Sequence, residues 1–205
     1  MSYIDKIAYS LGIRGEDPNK DLAKLIVEED SNDGVKEMVK YLYDKNKSIS
    51  SDCLCVLYHV GYDKPELIAE YLYTFTDLLH SKINRMVWGA MIAISQIARS
   101  NPHDVVEFRP LIANKIANGT VITNVWGVRA IINMAMNDDL YDKLKNDLLH
   151  YTDSCRDVDF ATRAEHVSEA VRDDIKSDFI RILEVRMPNL SAAAQKKVAK
   201  IIEKL

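Results

Sequence analysis

Cys55 and His59 stand four residues apart, a spacing that puts both on one face of a helix and suits a pair of metal ligands. Two ligands do not make a site. Cys53 faces elsewhere on the same helix, Cys155 is far along the chain, and no C-x-x-C, H-x-x-x-H or H-E-x-x-H occurs. The expectation is therefore no metal and no cofactor, with the cysteines acting as small buried hydrophobes. An odd number of cysteines with no leader-like segment also argues against a disulfide framework. His59, His80, His103 and His150 have no carboxylate or serine at a repeated offset, so neither an acid–base pair nor an activated nucleophile emerges, and no catalytic residue is expected.

The other residues with binding chemistry come in a pattern. Val-Trp-Gly is written twice, at Val87–Gly89 and at Val125–Gly127. On the helices that carry these triplets, Ile92, Ile97, Val128, Ile132 and Ala135 form an apolar stripe expected to face a core. The opposite face, read from helix to helix, runs Ser51, Trp88, Trp126, then Leu54, Met91, Arg129, then Tyr58, Ser95, Asn133. Flat aromatic area combined with a few directional donors is what protein- and peptide-binding surfaces use. The candidate contact residues are Tyr58, Trp88, Met91, Ser95, Trp126, Arg129 and Asn133, and a further step along the chain adds Arg163 and His166. The competing use of both tryptophans is as packing knobs between helices, with Gly89 and Gly127 giving room for close approach.

These side chains need helices to hold them. Only seven Gly and five Pro punctuate the chain, no strand-like alternation is present, and apolar residues recur at three- and four-residue steps throughout. The fold class is all-α. Pro65 and Pro102 suit first helical turns, where a missing N–H costs nothing, and Ser191 reads as the N-cap of a closing amphipathic helix over 191–205. Leu42, Leu79 and Ile116 echo one another at a step of roughly 37 residues, as do Met38, Phe75 and Ile112. A repeated helical hairpin cannot bury its apolar face alone, so neighbours must stack into a solenoid. The Trp-x-x-Leu-Gly pattern of tetratricopeptides and the Thr-Pro-Leu-His of ankyrins are both missing.

The run from Phe108 to Ala135, FRPLIANKIANGTVITNVWGVRAIINMA, resembles a HEAT repeat: a first helix with Pro-Leu-Ile, a turn, then a Val-led second helix rich in Ala and Ile. It departs from that pattern where Trp88 and Trp126 replace the usual Arg, and where the usual Asp between helices is missing. The resemblance implies a right-handed α-α superhelix of about five hairpins. It would form one domain over 1–205, with an N-terminal helix in 1–16, repeats over 17–187 and a capping helix over 191–205. It further implies that the second helices, 50–61, 84–99, 122–137 and 158–171, line the concave side.

The function expected from this is a non-enzymatic scaffold holding a protein or peptide. The alternative is a HEAT-like DNA glycosylase that excises alkylated bases, for which Trp88, Trp126 and Arg129 would be the counterparts of the residues gripping a cationic lesion. An iron hydroxylase on the same fold would need repeated His-Glu dipeptides, which the sequence lacks. The formal charge of −4 and isoelectric point near 5.8 disfavour nucleic acid and anionic membranes as partners. No run approaches the ~18 apolar residues of a membrane span, and a cytoplasmic location is expected.

Overall fold

A computed structural model describes residues 2–205. All regular structure among them is helical. The contacts part into two compact units, Met1–Ala130 and Ile131–Leu205.

The first unit opens with a 3-10 turn, Tyr3–Lys6, and a single turn of helix, α1 (Ala8–Leu11), closed by Gly12 in the left-handed region at φ 67°. Helices then come in threes. The first group is α2 (Asp17–Glu28), α3 (Asn32–Lys40) and α4 (Lys47–Asp63), and the second is α5 (Glu66–Ala69), α6 (Leu72–Leu78) and α7 (Asn84–Ser100). The third is α8 (Pro102–Val106), α9 (Arg109–Asn118) and α10 (Val121–Ala135), the last continuing past the end of the unit.

Two helices per repeat were expected; the first of each pair is in fact broken in two. Between α8 and α9 the cause is legible: Pro110 sits in the first turn of α9, has no N–H to continue a preceding helix, and its ring would clash with the carbonyl four residues back. Pro102 occupies the first turn of α8, as its sequence position suggested. Ser31 and Asn46 start α3 and α4 by accepting backbone N–H bonds from Gly34 and Ser48.

The periodic residues do what periodicity requires. Met38, Phe75 and Ile112 are fully buried, and Leu42, Leu79 and Ile116 nearly so. The third helix of each group is the most enclosed: α4 packs against α1, α2, α3 and α7, and α7 against α4, α5, α6 and α8. From Met86 to Ala98, α7 leaves only Trp88 outside the buried set.

The second unit takes the end of α10 and adds α11 (Asp138–Asp153), α12 (Asp157–Ser168), α13 (Asp173–Arg186), a 3-10 turn at Met187–Asn189 and α14 (Ala192–Lys204). Leu144, Leu148, Phe160, Val167, Phe179, Leu183 and Val198 form its core. Ser191 caps α14, accepting from the Ala194 N–H at 3.4 Å, and α14 lies against α12 and α13. No helix among the described residues is long and apolar enough to cross a membrane.

Candidate functional site

Five rings from α4, α7 and α10 make a connected row in the first unit. Trp88 lies 6.1 Å from Tyr58, Tyr58 lies 4.8 Å from His59 and 6.1 Å from Tyr62, and Tyr62 lies 5.8 Å from Trp126, all as centroid separations. The planes are tilted or edge-on, the arrangements ring quadrupoles favour. Both tryptophans are partly exposed.

Glycines set this arrangement. A Cβ on Gly89 would lie 2.7 Å from Leu54 Cδ2, and one on Gly127 2.5 Å from Ile116 Cγ1. The residue after each tryptophan must therefore be glycine for the next helix to close in. The second Val-Trp-Gly repeats the type of contact but not the partner: Gly89 receives α4, whereas Gly127 receives α9 of its own group.

Beside the row stands a polar cluster. Glu16, the residue that starts α2, accepts from Arg85 Nη2 at 3.0 Å, and the Arg85 guanidinium lies 5.9 Å from the centre of the Trp88 ring. The Tyr58 hydroxyl is 3.1 Å from Cys55 Sγ and 3.5 Å from Glu16 Oε2, within reach of both acceptors. Burial pushes the Tyr58 phenol far above its usual value, with the bond to Cys55 adding to it. The Tyr62 phenol and the Cys55 thiol are raised by burial to about 12 and about 11. Burial lowers His59, which favours the neutral imidazole.

The structure divides the expected contact residues. Trp88, Trp126 and Arg129 are partly exposed. Met91 and Ser95 have no exposed surface, and Tyr58 is 5% exposed, so these three cannot present side chains to a partner. The physical reason is that α4 and α7 have neighbours on more than one side. Ser95 turns its hydroxyl to the Ile92 carbonyl at 2.7 Å, and Met91 Cε reaches the space in front of Gly127. In the second unit Asn133 and Arg163 are also buried, Arg163 donating to the Tyr151 carbonyl at 3.3 Å, while His166 is partly exposed. Ser51 and Leu54, read as part of the same face, are buried too.

The sequence reading missed Glu16, Arg85 and Tyr62. Arg85 and Tyr62 sit on the same helices as residues it did name. Glu16 is brought in by α2, and no spacing in the sequence points to it.

The chain is similar to several solved helical repeat proteins. A computationally designed armadillo repeat protein for modular peptide recognition matches with a TM-score of 0.64 at 17% identity, over 89% of this chain and 85% of that one. A designed armadillo repeat protein in complex with the peptide (KR)4 matches with a TM-score of 0.67 at 17% identity, over 90% and 85% of the two chains. An engineered protein matches over 99% and 96%, with a TM-score of 0.61 at 16% identity. The fold is an armadillo-type helical repeat. Its three helices per group agree with that assignment in place of the two-helix HEAT hairpin suggested by residues 108–135. No protein-family model and no curated protein matches the chain.

Proposed function

We propose that this chain is a non-enzymatic scaffold that holds a peptide or an extended protein segment, and that the contact is made by the aromatic row of α4, α7 and α10. The observation that carries this reading is the continuity of the row. Trp88 and Trp126 are joined through Tyr58, which is buried, and Tyr62, which is partly buried, and both tryptophans stay partly exposed. Rigid aromatic surface costs little side-chain entropy on binding and dominates the energetics of many interfaces. Exposed ring faces on a chain of formal charge −4 favour cationic side chains on the ligand, as the Arg85 guanidinium near the Trp88 ring illustrates within the chain. Support also comes from the similar designed armadillo proteins, one made for modular peptide recognition and one seen with (KR)4. We place the activity in the cytosol, where the three free thiols stay reduced.

Trp88 and Trp126 are the two tryptophans of the chain, so intrinsic fluorescence reports on this face directly. Titration with (KR)4 is expected to give a saturable change that an alternating Asp-Glu peptide of equal length does not. A response to neither peptide, together with identical lysate capture by wild type and a W88A/W126A variant, removes the row as a binding surface.

A second reading, excision of alkylated bases, gains one element from the structure: Glu16 is a carboxylate beside an aromatic group. It still lacks the dense basic stripe that a phosphate backbone requires. A gel shift at low salt on abasic and undamaged duplex DNA separates the two. Saturable, salt-sensitive binding would move the assignment to the glycosylase.

A further inference from the structure

The sequence left Cys55 and His59 as a pair of ligands without a third. Tertiary structure brings one. Glu16, Cys55 and His59 each direct one ligand atom into a common space, and those atoms all lie within 4.8 Å of one another. We propose that Glu16, Cys55 and His59 form a Zn2+ site between the start of α2 and the middle of α4. The site shares Glu16 and His59 with the aromatic face, but its test reads metal binding and needs no peptide.

The donor set is chemically consistent. One thiolate, one imidazole and one carboxylate suit Zn2+, which accepts S, N and O donors at about 2.0–2.3 Å, and three protein ligands leave a fourth position for water. The separations, all within 4.8 Å, exceed those of a closed tetrahedron by at most roughly 1 Å. Side-chain rotation can supply that difference. Glu16 heads α2 with a partly exposed side chain, and His59 is only partly buried.

The surroundings of the sulfur carry the argument further. Asn19 is fully buried, and its Oδ1 is fixed by the Ala8 N–H at 2.8 Å, which turns Nδ2 the other way. Nδ2 is buried without a hydrogen bond of normal length, and the amide lies near the Cys55 sulfur. The Tyr58 hydroxyl, 3.1 Å away, is placed to donate to the same sulfur. A metal-bound sulfur is a stronger acceptor than a neutral thiol, so both groups would gain a better partner on metal binding. Donors of this kind around a ligating sulfur are the outer support that metal sites use.

Binding replaces the S–H bond of Cys55 by a Zn–S bond and releases its proton to solvent, with no change of oxidation state. The neutral imidazole binds through a nitrogen lone pair. Arg85 holds Glu16 Oε1, which leaves Oε2 to turn to the metal, and the Arg85 guanidinium also lies near the Trp88 ring.

The test uses the full chain, stripped with a chelator and titrated with Zn2+ by calorimetry and with Co2+ by absorbance. One equivalent of Zn2+ and a thiolate-to-cobalt charge-transfer band are expected. Cys55→Ser should abolish the band. Glu16→Gln and His59→Gln should weaken Zn2+ at least ~10-fold, as should Tyr58→Phe. Cys155→Ser and His150→Gln should change nothing. Glu16 is partly exposed, so Glu16→Gln keeps the fold even if Cys55→Ser perturbs it, and the circular dichroism of each variant verifies this. Absence of the band in wild type, or unchanged Zn2+ affinity in both Glu16→Gln and His59→Gln, overturns the proposal.

Discussion

Gly89 and Leu54 meet so closely that α4 and α7 can pack as they do only because residue 89 has no side chain. The missing Cβ would sit 2.7 Å from Leu54 Cδ2 and 3.0 Å from its Cγ, and Leu54 is itself buried and has nowhere to swing. Gly89→Ala sets a helix-propensity gain of about 1 kcal/mol against overpacking of roughly 1–3 kcal/mol. The expected result is a net loss of about 1 kcal/mol, read by urea melts. An alanine variant more stable than wild type would show that the helices separate freely here.

The partial exposure of Trp88 and Trp126 sets their contribution to stability. A fully buried tryptophan cut to alanine costs roughly 3–5 kcal/mol, and these should cost about 1–3 kcal/mol each. Capture of the partner should fall with either change while the fold persists, and Arg129→Ala should weaken the same partner. Thermal melts and a capture assay on the three variants check this. Large destabilisation by both tryptophan changes, with normal binding by the Arg129 variant, would leave the row as packing only.

Removing α14 should destabilise the second unit. Val198 and Ile201 are buried on the side of α14 that meets α12 and α13, and burying each such side chain stabilises by roughly 1.5–3 kcal/mol. A chain ending before Ser191 should lose roughly 3–6 kcal/mol and expose apolar surface to a hydrophobic dye. An unchanged melt would make the helix dispensable.

Acid should weaken the first unit through His59. Burial lowers this imidazole below its usual 6.5, with Glu16 and Asp63 pulling it up and Lys20 pushing it down. A depressed folded value means that the stabilisation is present above the unfolded value and is lost as pH falls through the folded one. The midpoint of wild type should drop between pH ~7.5 and ~5 by more than that of His59→Asn. Parallel curves for the two proteins would assign the acid sensitivity to other groups.

Met38, Phe75 and Ile112, or Leu42, Leu79 and Ile116, were recognisable as core from spacing alone, because each repeat solves the same burial problem with the same helical face. Ser191 was recognisable as a cap because capping is chemistry between neighbours in the chain. The burial of Met91 and Ser95 was not: a helical pattern shows that a helix has a second face, but not whether another helix covers it. α7 has neighbours on several sides, and its polar serine is satisfied by its own backbone, which leaves no trace in the pattern. Glu16 beside Cys55 and His59 was likewise invisible, because α2 and α4 are brought together by packing and residues on different helices have no common period. The positions that repeat belong to the sequence; the ones that meet only once, like Glu16 and Cys55, belong to the tertiary structure, since a single encounter between distant segments is fixed by the packing of whole helices.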